Sequence, residues 1–164
     1  MQAWLGLGAN LRHPVMQLKR AVRCLGQSEG IEVRKTSSFY RTRPWGNEDQ
    51  DDFINAVVQI ETGLAPLALL HVLQSIENSM GRQRSGHRWG PRVIDIDLLL
   101  FADETVHSTE LVVPHPRMHE RAFVLLPLSE LDASIEIPGW GMAGTLLSQL
   151  DCDGVCRLDD AGDE

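Results

Sequence analysis

The segment Val93-Ile94-Asp95-Ile96-Asp97-Leu98-Leu99-Leu100 restricts the fold more than any other stretch, because it reads as a strongly apolar strand broken by two aspartates. Strand geometry puts Asp95 and Asp97 on one face, roughly 6–7 Å apart along the chain, and turns their Ile and Leu neighbours toward a core. Two partly buried carboxylates side by side repel each other unless something positive joins them. The hard dication Mg²⁺, which takes one or two carboxylates together with phosphate oxygens, is the natural candidate, and a phosphate-bearing substrate would complete its shell. An Asp-x-Asp pair alone also suits a solvated sheet face, so its surroundings must decide.

Those surroundings are cationic. Gly81–Arg92 holds Arg82, Arg84, Arg88 and Arg92 with His87 and no acid, in a chain whose 15 Lys+Arg and 23 Asp+Glu give a formal net charge of -8. Guanidinium forks match phosphate oxygens in bidentate geometry, so this segment is a local anion site leading straight into the Asp pair. His115 and Arg121 can add donors to the same anion. The acidic whole argues against broad contact with nucleic acid or anionic membrane. No run is long enough to span a bilayer, and Met1 to Gly8 lacks the marks of a secretion signal. Cys24, Cys152 and Cys156 are odd in number and at no framework spacing, which fits reduced thiols in the cytoplasm. There is no Walker-type phosphate loop, kinase catalytic loop or Gly-x-Ser-x-Gly elbow. What remains is a small metal-dependent phosphoryl or nucleotidyl transferase, with a glycosyltransferase or a noncatalytic nucleotide-binding module as rivals.

Periodicity arranges these residues. Trp4–Leu7 is a strand closed by Gly8-Ala9-Asn10, and Pro14 opens a helix with Val15, Leu18, Val22 and Leu25 inward. Ile31–Ser37 continues as strand into Tyr40, Thr42–Asp52 is a loop, and Phe53–Glu61 alternates, with Phe53 and Asn55 on one face and Ile54, Ala56, Val58 and Ile60 on the other. Pro66 starts a second helix carrying Leu69, Leu70, Leu73, Ile76 and Met80 inward. Thr105–Val106 and Leu111–Val113 form a short pair, and Arg117–Leu131 is a helix with Ala122, Leu125, Leu126 and Leu128 inward and a kink or early stop at Pro127. A strand at Ile135–Ile137 and a helix over Ala143–Leu150 follow. One catalytic domain therefore spans 1–150, and the acidic tail 151–164 is loose. Consecutive strands without an intervening helix favour an α+β class with a ferredoxin-like antiparallel sheet.

The run Arg88-Trp89-Gly90-Pro91-Arg92-Val93-Ile94-Asp95-Ile96-Asp97-Leu98-Leu99 resembles the signature of the 6-hydroxymethyl-7,8-dihydropterin pyrophosphokinase family. The likeness extends to Gly6–Leu11, Ser38–Thr42, Phe53–Ala56, Val113–Met118 and Glu120–Phe123, in order from Ala3 to about Leu131. It implies a three-layer α/β/α fold with helices on both faces of the sheet. It also implies ATP as co-substrate, two Mg²⁺ ions, and attack by the pterin hydroxymethyl oxygen on the β-phosphorus with AMP leaving, a step of folate synthesis. By the same resemblance Asp95 and Asp97 hold the metals, Arg82 and Arg92 act catalytically at the phosphates, and His115 and Arg121 face them. Glu77, Arg84, Arg88, Trp89 and Leu98 are nucleotide contacts. Gly8, Thr42, Arg43, Trp45, Phe53, Asn55, Trp89, Asp95 and Phe123 surround the pterin, with Asn55 bonding its edge and Phe123 stacking on its ring. The implied partners are the small pterin and ATP alone, for a monomer in the cytoplasm. Arg43, Trp45, Ser85, Glu110 and Val112 depart from the residues common in the family.

Gly81, Gly86 and Gly90 leave the Arg-rich segment conformationally free, while four arginines repel one another until phosphate neutralises them. The segment is expected to close over bound Mg-ATP and pterin and to stabilise charge in the transition state. Arg82→Ala should then slow the chemical step far more than it weakens ATP binding, with Arg84→Ala milder. Single-turnover rates set beside equilibrium nucleotide binding check this, and a loss confined to binding contradicts it.

Overall fold

The computed structural model describes residues 1–43, 51–81 and 93–159. The chain begins with strand β1 (Gln2–Ala9), helix α1 (Pro14–Gly26) and strands β2 (Ile31–Thr36), β3 (Tyr40–Thr42) and β4 (Phe53–Thr62). Helix α2 (Pro66–Ser79), strand β5 (Asp95–Phe101) and a small pair β6 (Val106–His107) and β7 (Val112–Val113) follow. A 3₁₀ turn at Met118–Glu120 precedes helix α3 (Ala122–Asp132), the pair β8 (Glu136–Ile137) and β9 (Gly141–Met142), helix α4 (Ala143–Leu147) and strand β10 (Val155–Arg157). The main sheet runs β10-β3-β4-β1-β5, with β2 also paired to β4, and every pairing among the described residues is antiparallel.

Strand alternation divides the core in two. Ala3, Leu5, Leu7 and Ala9 of β1 and Ile54, Ala56, Val58 and Ile60 of β4 pack with the buried faces of α1 and α2. Trp4, Val57 and Leu99 point the other way and pack with Val124, Leu125 and Leu128 of α3 and Ala143 of α4. In β5 the alternation breaks where the register against β1 shifts between Trp4 and Leu5, so that Leu99 and Leu100 both join the second cluster. A bulge of this kind puts two residues of one strand opposite one of its partner.

Several sequence expectations change. The helix expected from Arg117 begins only at Ala122, because Arg121 is extended (φ -113, ψ 109) and separates it from the 3₁₀ turn. Pro127 does not stop α3. It removes one helical donor, and the burial of Val124, Leu125 and Leu128 against the sheet carries the helix through to Asp132. Val124 takes the inward place expected for Leu126. The strand expected across Ile31–Tyr40 divides at Ser37, whose hydroxyl accepts the Val57 N–H and whose own N–H bonds the Val57 carbonyl. The segment after Leu150, expected to be loose, supplies β10, which pairs Val155 with Thr42 and Arg157 with Tyr40. No helix among the described residues is long and apolar enough to cross a membrane.

One side chain fastens α3 to β3. Glu130 accepts the Ser38 N–H at 2.9 Å, the Ser38 hydroxyl at 3.0 Å and the Tyr40 hydroxyl at 2.7 Å. Partial burial opposes the charge on Glu130, yet the bonds from Tyr40 and Ser38 outweigh it and hold the carboxyl below its ordinary 4.5. Burial first, and then Glu130, push the Tyr40 phenol upward. Glu130→Ala leaves the buried Tyr40 hydroxyl without this acceptor and should lower unfolding free energy by about 1–3 kcal/mol. Because the folded carboxyl binds its proton less tightly than the unfolded one, the contribution is complete above 4.5 and fades as pH falls through the lowered folded value. Urea unfolding from neutral to acid pH should therefore show the gap between wild type and Glu130→Ala closing in acid.

Candidate active site

Three strands build the floor of a cavity of about 420 Å³ from two transverse rows. Asn55, Gly8 and Asp95 stand in register in one, and Val57, Gly6 and Asp97 in the other. The glycines of β1 leave the middle of each row bare. At Gly8 a Cβ would sit 2.8 Å from Asn55 Nδ2, and at Gly6 it would press on Leu99 at 3.3 Å. Gly8 is therefore what lets Asn55 lie across the floor.

Around this floor the other elements raise walls. Thr42 and Arg43 at the end of β3 and Phe53 at the start of β4 close one side, and Arg121 and Phe123 at the start of α3 cover another. The Arg121 guanidinium lies 5.5 Å from the centre of the Phe123 ring, so cation and ring share the roof. Leu70, Gln74 and Glu77 of α2 form a third side. Arg43 is exposed at the rim, and its aliphatic stem passes beside Gly154 in the turn before β10. Asn10, at the end of β1, donates to the Asp51 carbonyl at 3.1 Å and fixes the approach to β4.

Polar residues that line the cavity fall into two kinds. Thr42 Oγ1 and Asn55 Oδ1 are buried with no hydrogen-bond partner among the described residues, although both residues are more than nine-tenths shielded from solvent. Leaving such groups unpaired costs about 1–3 kcal/mol each. The other end is ionic. Asp95 and Asp97 face His115, Arg117 and Arg121 across it. No third acidic, His or Cys ligand groups with the aspartates among the described residues. Two carboxylates are the donor set for a Mg²⁺ that takes the rest of its shell from phosphate and water.

His115 is neutral. Burial, then the nearby Arg121, pulls its pKa down to about 4, with Asp95 opposing and Arg117 reinforcing the shift. Its Nδ1 accepts the Arg117 N–H at 3.2 Å, which leaves the ring proton on Nε2. Nε2 lies 3.9 Å from Asp97 Oδ2, too far for a hydrogen bond, and a neutral ring makes no ion pair there. The segment is held by the His115 N–H, which donates to the Leu99 carbonyl at 2.9 Å. Arg121 is drawn below its ordinary value by burial, while Asp97 and Asp95 pull it upward.

Of the residues singled out in the sequence, Gly8, Thr42, Arg43, Phe53, Asn55, Glu77, Asp95, Asp97, His115, Arg121 and Phe123 line this one cavity. Trp45, Arg82, Arg84, Arg88, Trp89 and Arg92 lie outside the described residues. Leu98 is different: its side chain is buried in the core on the α1 and α2 side, which leaves only its backbone for a nucleotide. Glu110 meets His71 of α2 at 3.1 Å instead of a ligand. Leu70, Gln74, Pro116 and Arg117 also line the cavity and were not singled out as site residues in the sequence. Leu70, Gln74 and Glu77 follow i, i+4, i+7 spacing, one helix face, and that was the signal available for the first two.

Known proteins place this architecture. A family model described as 7,8-dihydro-6-hydroxymethylpterin-pyrophosphokinase matches residues 4–133. A 2-amino-4-hydroxy-6-hydroxymethyldihydropteridine pyrophosphokinase of Haemophilus influenzae is 43% identical over 147 residues, covering 90% of this chain and 91% of that one. One of the same description from Methylorubrum extorquens is 46% identical, covering 96% and 99%. In fold the chain is similar to crystalline wild-type Plasmodium falciparum HPPK-DHPS with pteroate, at TM-score 0.73 and 17% identity, over 90% of this chain and 42% of that longer one. The matched region carries the whole floor of the cavity and the start of α3, and the chain belongs to the 7,8-dihydro-6-hydroxymethylpterin-pyrophosphokinase family.

Proposed function

We propose that the chain transfers the β,γ-diphosphate of ATP to the hydroxymethyl oxygen of 6-hydroxymethyl-7,8-dihydropterin, releasing AMP, as a step of folate synthesis. The observation that carries this, beside the family, is the two-ended cavity. Thr42, Asn55 and Phe123, with Thr42 Oγ1 and Asn55 Oδ1 unpartnered among the described residues, suit a flat heterocycle with edge donors, and the Asp95/Asp97 pair with Arg121 suits a metal-bound polyphosphate.

In this reading the pterin lies with its ring against Phe123 and its edge on Asn55, and its hydroxymethyl group points along the floor toward Asp95. The hydroxymethyl oxygen bonds to the β-phosphorus, the bond from that phosphorus to the α-bridging oxygen breaks, AMP departs, and the hydroxyl proton passes to solvent. Two Mg²⁺ ions held by Asp95 and Asp97 would neutralise phosphate charge when bound. Bare backbone at Gly6 and Gly8 gives the substrates room to meet over β1. Neutral His115, with its proton on Nε2, donates a hydrogen bond to a phosphate oxygen without needing acid pH. Arg121 adds a fixed positive charge, and Arg82 and Arg92, outside the described residues, would act at the phosphates as the family resemblance implies.

The finer architecture belongs to the same proposal: a ferredoxin-like, three-layer domain acting as a monomer in the cytoplasm. Support comes from apolar clusters on both faces of the sheet.

Incubation with ATP, Mg²⁺ and the reduced hydroxymethyl pterin should yield AMP and a diphosphorylated pterin. Release of pyrophosphate, or tight binding without turnover, would overturn the assignment. Asp97→Ala should reduce turnover by at least about 100-fold with the fold intact, since the metal's stabilisation of phosphoryl charge is worth several kcal/mol. Wild-type rates in Mg²⁺ would remove Asp97 from the metal site. Phe123→Ala and Asn55→Ala should each weaken pterin binding about tenfold, through lost stacking and a lost buried hydrogen bond. Calorimetric titration with the pterin reads both, and unchanged affinity in the two variants would move the pocket elsewhere.

A further inference from the structure

Among the described residues strand β5 ends the main sheet, so alternate backbone groups on its outer side meet no neighbouring strand there. One of them is met by a side chain. The Ile96 N–H donates to Glu77 Oε2 at 2.6 Å, and Glu77 is 3% exposed. Ile96 is the residue between Asp95 and Asp97, and its own side chain is buried in the core beneath α2. The bond therefore holds the stretch of backbone from which both carboxylates project.

Glu77 stands at an unfavourable place for an acid. It lies near the C-terminal end of α2, where the helix dipole is negative, and no basic residue occupies the last helical turn. It is also shielded from water within reach of a cavity that already contains Asp95 and Asp97. A short hydrogen bond from a strand N–H is one interaction that favours a carboxylate there. Hydrogen-bonding groups one step behind metal ligands orient those ligands.

We propose that Glu77 is a positioning residue that fixes the Asp95-Ile96-Asp97 backbone, and with it the relative placement of the two carboxylates, through the Ile96 amide. This rests on Asp95 and Asp97 as the metal-holding pair. It gives Glu77 a role distinct from the nucleotide contact implied by family resemblance.

The test uses Glu77→Gln, which keeps an acceptor oxygen, Glu77→Leu, which removes it at similar volume, and Glu77→Asp, which keeps the charge but withdraws it by one methylene. In the metal-free, ligand-free protein the Ile96 amide should exchange at about the wild-type rate in Glu77→Gln and at least about tenfold faster in Glu77→Leu and Glu77→Asp. Mn²⁺ binding in the presence of a nonhydrolysable ATP analogue, followed by electron paramagnetic resonance, should weaken about 10–100-fold in the same two variants and stay near wild type in Glu77→Gln. The KM for ATP at saturating Mg²⁺ should change little. If Glu77→Leu fails to fold, Glu77→Asp carries the comparison. An Ile96 amide indifferent to Glu77→Asp overturns the tether, and a raised ATP KM with unaltered metal binding returns Glu77 to the nucleotide. Failure of the metal reading is separate: Asp97→Ala would then bind Mn²⁺ normally while the Ile96 amide still responded to Glu77.

Discussion

Everything in the cavity depends on the bare centre of β1. Gly8 and Gly6 stand between Asn55 and Asp95 and between Val57 and Asp97, and a methyl group at Gly8 would collide with Asn55 Nδ2. A β-strand buried on both faces ordinarily fills each face with side chains. Here one face of β1 is filled by Ala3, Leu5, Leu7 and Ala9, while the other is filled only at Trp4. The sheet can thus pack tightly beneath α1 and α2 and still leave about 420 Å³ open on its opposite side. Glycine weakens a strand interior, and the register with β4 and β5 on either side supplies the support that β1 lacks by itself.

The electrostatics of the cavity are local and run against the sign of the whole chain. A molecule of formal net charge -8 would repel a polyphosphate at long range. Close in, the cavity carries Arg121 and Arg117 with neutral His115 on one wall and the Asp95/Asp97 pair on the floor. In the proposed function this combination of cations and carboxylates favours an anion accompanied by its own divalent metal. The low pKa of His115 belongs to the same field, since burial and Arg121 act together against a second positive charge.

Two acidic side chains hold the walls from behind. Glu130 ties the far end of α3 to Ser38 and Tyr40, so the helix that presents Phe123 and Arg121 is anchored to the strand that presents Thr42. Glu77 does the corresponding work for β5 by meeting the Ile96 amide. Beyond them β10 pairs with β3 and sets Gly154 against the stem of Arg43. Walls made of separate segments are brought to fixed distances by these few polar contacts, because apolar packing alone tolerates sliding.

The sequence by itself determined what one strand or one short motif can determine. Period-two alternation put Asp95 and Asp97 on one face and Phe53 with Asn55 on another, and both pairs line the cavity, since side-chain direction in a strand is a property of the strand alone. The antiparallel class followed from consecutive strands without a crossover helix, and the signature around Asp95 gave the family. Only the tertiary structure decided which strand lies beside which. The rows Asn55–Gly8–Asp95 and Val57–Gly6–Asp97, the entry of Val155–Arg157 into the sheet, and the break at Arg121 ahead of α3 all depend on register and packing between segments far apart in the chain. The neutrality of His115 and the burial of Glu77 against Ile96 likewise arise from surroundings contributed by several elements at once. Local periodicity fixes the direction of a side chain, but its partners, its solvation and hence its chemistry are sums over neighbours that exist only once the chain has folded.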